Sequence, residues 1–519
     1  MTQPQKARFE FDLPDEAATI LLAHRIAGFT GAGDLITLSG DLGAGKTTLA
    51  RAFIRELIGD PELEVPSPTF TLMQVYDAPK FPIVHADLYR IKSPDELIEL
   101  GWDEAADGAL VLVEWAERAG NQLAQDRLDV SLQLNPQKGA SFRKVIFTGT
   151  GSFAQRLSRA MSVDALLARS GWAEAKRQFM LGDASTRAYE RLEKPDGTKG
   201  ILMISPKRPD GPPVRYGKPY SQIAHLAEDV IPFFAIQRGL LLEGFSAPDL
   251  YAKDATNGLA ILEDLGSEGI VDENGPIPER YGAAALALAE LHKLDLPHTI
   301  TMVPAPYDIP PYDMDALIIE VELILDWYAP HIAKSFPASG ARAIFANLWR
   351  EALQEIIEGP KTWVLRDYHS PNVIWLPERE GVKKIGIIDF QDCVIGHPAY
   401  DVASLLQDAR VTVSDALEMK LLGQYLRQRK ADDDSFDFEA FARAYALMGA
   451  QRATKVLGIF ARLDKRDGKQ HYLKHIPRVK HYLQKDLAHP ALAAIRAWFE
   501  THMPSILEKD KTCLEKDEA

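Results

Sequence analysis

Gly40-Asp41-Leu42-Gly43-Ala44-Gly45-Lys46-Thr47 matches the pattern G-x-x-x-x-G-K-[ST] in full. Glycines at these spacings let successive backbone N–H groups curl around an anion. A helix starting at Lys46 adds the positive end of its dipole. The pattern predicts a triphosphate cradle built from Gly40, Asp41, Gly43, Ala44, Gly45, Lys46, Thr47 and Thr48. The Lys46 ammonium would meet the β- and γ-phosphates of ATP and the Thr47 hydroxyl a magnesium ion. On average composition a chain of this length would match by accident about twice in a hundred, and the apolar strand before the loop and the helical pattern after it make the match more specific. Hydrolysis also needs carboxylates. Asp87 closes the apolar run from Ile83 and Glu114 closes the run from Leu110. An acid ending a buried strand can serve the metal, as Glu114 would, or the attacking water. The two roles are exchangeable as far as the sequence goes.

A second constellation lies in the other half. Asp367-Tyr368-His369-Ser370-Pro371-Asn372 has the D-x-x-x-x-N spacing of a kinase catalytic loop. The aspartate would orient a substrate hydroxyl and accept its proton, and the asparagine would turn back to hold a metal. That spacing alone is common. Its weight comes from Ile385-Gly386-Ile387-Ile388-Asp389, an apolar strand ending in a second metal-binding acid. His369 reads as a hydrogen-bonding residue of the loop and Asp401 as its anchor, while Asp392 stays open. Upstream, residues 181–189 look like a phosphate-covering loop in which Ser185 and Arg187 would meet the nucleotide. Leu262-Glu263-Asp264-Leu265-Gly266 reads as the link between two lobes, where the backbone at Glu263 and Leu265 would meet adenine. The strand at 200–204 lacks the lysine that holds the α- and β-phosphates in a typical kinase. Lys207 and Arg187 are the candidates to replace it.

These residues need elements to carry them. Residues 34–40 read as a short buried strand, 46–59 as a helix with Leu49, Phe53 and Leu57 in register, and 81–89 and 108–114 as further buried strands. Ser93-Pro94-Asp95-Glu96 has capping-box form with proline at the first helical position. Residues 127–134 alternate, with Leu128, Val130, Leu132 and Leu134 on one face. Strands interleaved with helices predict an α/β P-loop NTPase domain with a mainly parallel sheet. Helical patterns run from about 151 to 179, strand character follows to about 204, and helices dominate from about 219. This predicts a protein-kinase-like α+β domain of two lobes. The expected organisation is a P-loop domain over 1–155, a helical connector over 156–175, a phosphotransferase domain over 176–505 and a charged tail over 506–519.

The length of 519 residues allows two to four domains, and 46% hydrophobic with 26% charged residues lets both halves bury cores. A net charge of −15 disfavours autonomous binding to a nucleic-acid backbone, so tRNA is expected only through partner proteins. Cys393 and Cys513 form neither a metal motif nor a disulfide framework. The N-terminus lacks a signal-peptide pattern and no apolar stretch approaches the roughly 20 residues that span a bilayer. A cytoplasmic protein with no membrane role is expected.

The runs GDLGAGKTTLAR, PSPTF (66–70), HADLYR (85–90) and VEWAER (113–118), in this order, closely resemble the TsaE family over about residues 8–150. The resemblance implies a small ATPase that works with TsaB and TsaD in placing N6-threonylcarbamoyl on adenosine 37 of tRNAs reading ANN codons. Thr69 would then sense the γ-phosphate and metal, and Trp115 would be either a functional aromatic near the site or a core residue. In the second half, LGDASTRAYERL, LEDLG, RDYHSPNV, IIDFQDCVIGHPAYDVASLLQD and KVLGIFARLDKRDGKQHYLKHIPR are similar to AmgK-like sugar kinases of the aminoglycoside-phosphotransferase superfamily, over about 175–500. This implies ATP- and Mg²⁺-dependent phosphorylation of the anomeric hydroxyl of N-acetylmuramate or N-acetylglucosamine, a cell-wall recycling step. The helical lobe would build the sugar pocket, with Arg462, Asp464, Arg466 and Lys469 as candidates. The competing readings are an aminoglycoside-type or other small-molecule kinase, a non-catalytic binding module of the same fold, and a regulatory nucleotide switch at the N-terminus. Retention of Asp367, Asn372 and Asp389 argues against the binding module, and the intact N-terminal motifs argue against the switch.

Overall fold

Leu110-Val111-Leu112-Val113 is apolar without alternation, as a strand covered on both faces requires. In the computed structural model, which describes residues 6–99, 101–180, 187–207 and 211–508, this run lies inside the first of two units that divide between Ala173 and Glu174. The first unit is built on strands β1 (Lys6–Leu13), β2 (Leu35–Ser39), β3 (Met73–Asp77), β4 (Pro82–Asp87), β5 (Leu110–Glu114), β6 (Leu128–Leu134) and β7 (Arg143–Thr150), in the order β1-β7-β6-β2-β5-β4-β3. Strands β6, β2, β5 and β4 run parallel, with β7 and β1 added antiparallel at one edge and β3 at the other. Leu110 and Leu112 enter the core shared with helices α1 (Glu16–Ala27) and α2 (Lys46–Ile58), and Val111 and Val113 enter a second core on the opposite face. Helix α3 (Ser152–Arg169) buries Phe153 and Leu157 in the first core, and its Arg156 forks onto Asp34 at 2.7 and 2.8 Å. Residues 156–169 are therefore part of the sheet unit and not a separate connector. Leu134 also departs from expectation: at the end of β6 it is 40% exposed, past the edge of the core that holds Leu128, Val130 and Leu132.

In the second unit, β8 (Lys176–Met180), β9 (Ala188–Glu193), β10 (Lys199–Ile204), β11 (Leu250–Asp254) and β12 (Leu259–Glu263) form an antiparallel sheet in the order β11-β12-β10-β9-β8, with helix α4 (Ile231–Leu242) between β10 and β11 in the chain. After β12 the chain is mainly helical, with α5 (Pro278–His292), α6 (Met314–Leu323), α7 (Ser339–Glu358), α8 (Ala399–Leu406), α9 (Asp415–Asp432), α10 (Phe438–Asp467), α11 (Ile476–Asp486) and α12 (Ala493–His502). Two short antiparallel pairs carry the catalytic-loop sequence. Strand β13 (Thr362–Val364) pairs with β16 (Val394–Gly396), and β14 (Val373–Trp375) with β15 (Ile385–Ile387). Every residue of α10 from Ala444 to Gly458 is buried, so this helix is the central rod of the helical lobe.

Gly458 lets that rod approach α6. A Cβ at Gly458 would stand 2.4 Å from the carbonyl carbon of Leu323 and 2.7 Å from the Ile324 nitrogen. Alanine would gain about 1 kcal/mol of helix propensity, but overpacking against main chain that cannot swing aside costs about 1–3 kcal/mol. Gly458→Ala is expected to lower the thermal midpoint of the second unit by several degrees and leave that of the first unchanged, as read by calorimetry on the full chain.

Candidate active sites

In the first unit, β5 pairs in parallel register with β4 and β2, so that Glu114 lies beside Asp87 and Leu38. The loop after β2 and the two acids therefore gather at the carboxyl ends of parallel strands, where ligands bind in such sheets. Gly40 has φ 137°, and a Cβ on it would stand 2.2 Å from the Leu132 carbonyl oxygen; Gly45 has φ 102°. Neither position suits a larger residue. Lys46 opens α2 and is only 5% exposed; its Nζ donates to Gly40 O at 2.7 Å and Asp41 O at 3.0 Å and lies 3.8 Å from the centre of the Trp115 ring. Burial pulls this ammonium below the usual lysine value, against the opposing charges of Glu114, Glu117, Asp87 and Asp41.

The two acids are separated by the hydroxyls they meet. Thr47 Oγ1 donates to Glu114 Oε2 at 3.0 Å, and His85 Nε2 lies 3.0 Å from Glu114 Oε1, with His85 and Glu114 both buried. Asp87 Oδ2 accepts from Ser67 Oγ at 2.9 Å and Thr69 Oγ1 at 2.6 Å, and its Oδ1 accepts from Tyr89 N at 2.9 Å. Thr48 lines a different cleft, between α1 and α2, with Glu16, Ile20 and His24. Sequence reasoning missed Arg143, whose guanidinium donates to Ala44 O at 3.0 Å and Gly43 O at 3.3 Å and so braces the loop. No motif marks an arginine at the head of β7.

In the second unit, Asp367 has a side chain 41% exposed at the turn between β13 and β14. Asn372 Nδ2 donates to Asp367 O at 2.9 Å and reaches Asp389 Oδ2 at 3.5 Å. Asp389 Oδ1 accepts from Arg187 Nη1 at 3.0 Å and Gln391 Nε2 at 2.9 Å. Burial, and then the charge of Asp367, push the Asp389 carboxyl up, with Arg187 and Gln391 opposing. Arg366 and Asp389 have φ of 68° and 59°, a backbone region that costs a non-glycine residue about 1–3 kcal/mol. Asp401, fully buried, holds the first of these turns by accepting Leu365 N at 2.6 Å and Arg366 N at 2.9 Å. The Arg366 guanidinium is locked between Glu320 and Ala224 O. Glu320 also meets Lys455 Nζ at 3.0 Å, Gln451 Nε2 at 3.1 Å and the Tyr312 hydroxyl. Burial alone would raise Glu320, but the charges of Lys455 and Arg366 outweigh it and hold the carboxyl at about 2.

Asp392 accepts Ala227 N at 2.6 Å and so anchors the segment before α4. Ser185 lies outside the described residues. The Glu263 side chain accepts from Arg379 Nη2 at 2.5 Å and Asp249 N at 3.2 Å, and Leu265 fills the space beside Gly386. Lys207 is exposed. Of the residues expected to line the sugar pocket, Arg466 is paired with Asp467 at 2.7 Å, Asp464 is buried beside Lys465, and Arg462 lies over the Tyr220 ring.

Both donor sets fit a magnesium ion carried by a triphosphate. They offer hydroxyl, amide and carboxylate oxygens, which suit that hard cation. Among the described residues no group of three or more His, Cys, Asp or Glu is arranged to hold a metal ion by itself. No helix among the described residues is long and apolar enough to cross a membrane.

The fold and sites define a P-loop nucleotide-binding unit followed by a kinase-like phosphotransferase. The family model for threonylcarbamoyl adenosine biosynthesis protein TsaE matches residues 13–144, and that for the phosphotransferase enzyme family matches residues 176–439. The N-acetylmuramate/N-acetylglucosamine kinase of Caulobacter vibrioides is 36% identical over 351 residues, which are 66% of this chain and 95% of that protein. The kinase of the same name from Pseudomonas aeruginosa is 30% identical over 339 residues, 64% of this chain and 90% of that protein. The tRNA threonylcarbamoyladenosine biosynthesis protein TsaE of Rickettsia prowazekii is 46% identical over 101 residues, 20% of this chain and 69% of that protein. The chain belongs to the TsaE family through its first unit and to the phosphotransferase enzyme family through its second.

Glu320→Gln would leave Arg366 and Lys455 buried without their counter-charge, a loss of about 3–5 kcal/mol that urea denaturation of the second unit would measure. The native Glu320 carboxyl, at about 2, lies below its ordinary value of 4.5, so its contribution is complete above about pH 4.5 and is lost as pH falls toward 2. The variant should lack this part of the pH dependence.

Proposed function

We propose that this chain is bifunctional. Its first unit is an ATPase that supports threonylcarbamoylation of tRNA adenosine 37, and its second phosphorylates the anomeric hydroxyl of N-acetylmuramate or N-acetylglucosamine with ATP. The observation that carries this reading is that each unit keeps a phosphate-and-metal donor set in place: Lys46, Thr47 and Glu114 in one, Asp367, Asn372 and Asp389 in the other.

In the first unit the amides of the 40–45 loop and Lys46 hold the phosphates. The hydrogen bond from Thr47 to Glu114 supports placing both on the metal. Asp87, bonded to Ser67 and Thr69, then couples the 66–70 loop to the attacking water. TsaB/TsaD-like proteins are the expected partners, and the net charge of −15 favours their bringing the tRNA. In the second unit Asp367 accepts a hydrogen bond from the sugar hydroxyl and takes its proton as that oxygen attacks the γ-phosphorus, while the bond from that phosphorus to the β–γ bridging oxygen breaks and ADP leaves. Asn372 and Asp389 would hold the metal. A magnesium ion held there would supply positive charge against the charge developing on the phosphate oxygens. Arg187, already at Asp389, takes the place of the missing lysine, and the backbone at Glu263 and Leu265 meets adenine. The setting for both activities is the cytoplasm.

Purified protein with ATP, Mg²⁺ and N-acetylmuramate should yield the 1-phosphate. Asp367→Asn should lower that rate by about 10³-fold or more, while Lys46→Ala leaves it intact. Turnover of kanamycin-type substrates without turnover of amino sugars would replace the sugar-kinase assignment. Conversely, the full chain should complement a TsaE-deficient strain, Asp367→Asn should still do so, and Lys46→Ala should fail.

A further inference from the structure

Beside the catalytic loop the second unit collects arginines that the roles above do not use. Arg410 Nη1 lies 3.3 Å from His369 Nε2, which lies 4.0 Å from Asp367 Oδ1. Buried Asp408 accepts Arg410 N at 2.8 Å through one oxygen and Ser370 N at 2.8 Å through the other, so this arginine and the catalytic loop hang from a single carboxylate. Arg478 reaches the same segment from α11: its Nε donates to Thr412 Oγ1 at 2.8 Å, and its Nη1 donates to Ala409 O at 3.0 Å and to His475 Nδ1 at 3.1 Å. Arg452 of α10 donates to Gln407 O at 3.4 Å. Two guanidinium groups thus reach residues 407–412 from α10 and α11, and Arg410 within that segment carries a third to His369. The partners of Arg478 are a hydroxyl, a carbonyl and an imidazole, and none is an acid. Burial and the charges of Arg478, Lys474 and Arg410 push His475 down to about 4, so that imidazole is neutral near pH 7.

His369 adds an independent sign of a ligand. An arginine only donates, so His369 Nε2 accepts and Nδ1 carries the hydrogen. That Nδ1 has no acceptor among the described residues, although His369 is only 7% exposed. A buried N–H without an acceptor is costly unless something arrives to accept it.

We propose that Arg410, backed by Arg478, recognises the carboxylate of a 3-O-carboxyalkyl amino sugar, so that the second unit prefers N-acetylmuramate to N-acetylglucosamine. This rests on the amino-sugar kinase assignment. A carboxylate brought close to Asp367 and Asp389 is repelled unless a cation meets it, and the planar fork of arginine matches that group. The anomeric hydroxyl and a C3 substituent are 1,3-related on one sugar ring, and Arg410 and Asp367 face the same nitrogen, His369 Nε2, at 3.3 and 4.0 Å. The same cluster repels a polycationic antibiotic.

Steady-state kinetics of the full-length protein on both sugars test this. Wild type should favour N-acetylmuramate in kcat/KM. Arg410→Met should lower the ratio of the two kcat/KM values about tenfold to a hundredfold, mainly through KM for N-acetylmuramate, and Arg410→Lys should recover part of it. Arg478→Gln should move the ratio in the same direction and serves if Arg410→Met does not fold. Turnover of both sugars with an unmoved ratio, or a raised KM for ATP in place of the sugar, overturns the proposal alone; the second outcome would assign the arginines to phosphate. Turnover of neither sugar by wild type overturns the underlying kinase assignment as well.

Discussion

A carboxylate buried against main-chain amides is the constraint on which the second site depends. Asp401 is fully buried, and the amides of Leu365 and Arg366 donate to it. Burial drives its carboxyl up to about 7, while the amide bonds favour the charged form. The bonds fix the chain where Arg366 adopts a positive φ, and that turn sets the direction in which Asp367 leaves the strand. The device recurs. Asp408 takes the amides of Ser370 and Arg410, Asp392 takes that of Ala227, and Asp87 in the first unit takes that of Tyr89. Each converts side-chain charge into a fixed main-chain position, which catalytic geometry needs to within a fraction of an ångström.

The two units solve one problem with opposite inventories. The first meets a polyanion with backbone N–H groups and a nearly buried lysine, and keeps its acids back on Thr47 and on the 66–70 loop. The second presents acids and an amide, and balances them with Arg187 at Asp389 and the buried Glu320–Arg366–Lys455 group beneath the loop.

The strands that end in Asp87 and Glu114 were legible because a parallel strand buried on both faces is apolar throughout. The catalytic loop was legible because a donor and an acceptor five residues apart sit in one turn. What each acid meets was not legible. The Thr47–Glu114 bond joins residues 67 apart and the Arg187–Asp389 pair residues 202 apart. Arg143 and Arg410 carry no local pattern that separates them from ordinary surface cations; only the fold brings one to the glycine loop and the other to His369. Residues 152–169 read as helix, yet their membership of the first unit depends on what Phe153 and Leu157 pack against, which periodicity does not name.

The strand order also governs assembly during synthesis. Lys6 pairs with Thr150, 144 residues later, and β2 gains its two neighbours only when residues 110–114 and 128–131 have emerged. At about 5–20 residues per second, the nascent glycine loop waits on the order of ten seconds beside a strand with both edges open. Over that interval the ribosome-bound chain offers an apolar template for foreign strands, and the first unit closes only when its earliest residues meet its latest.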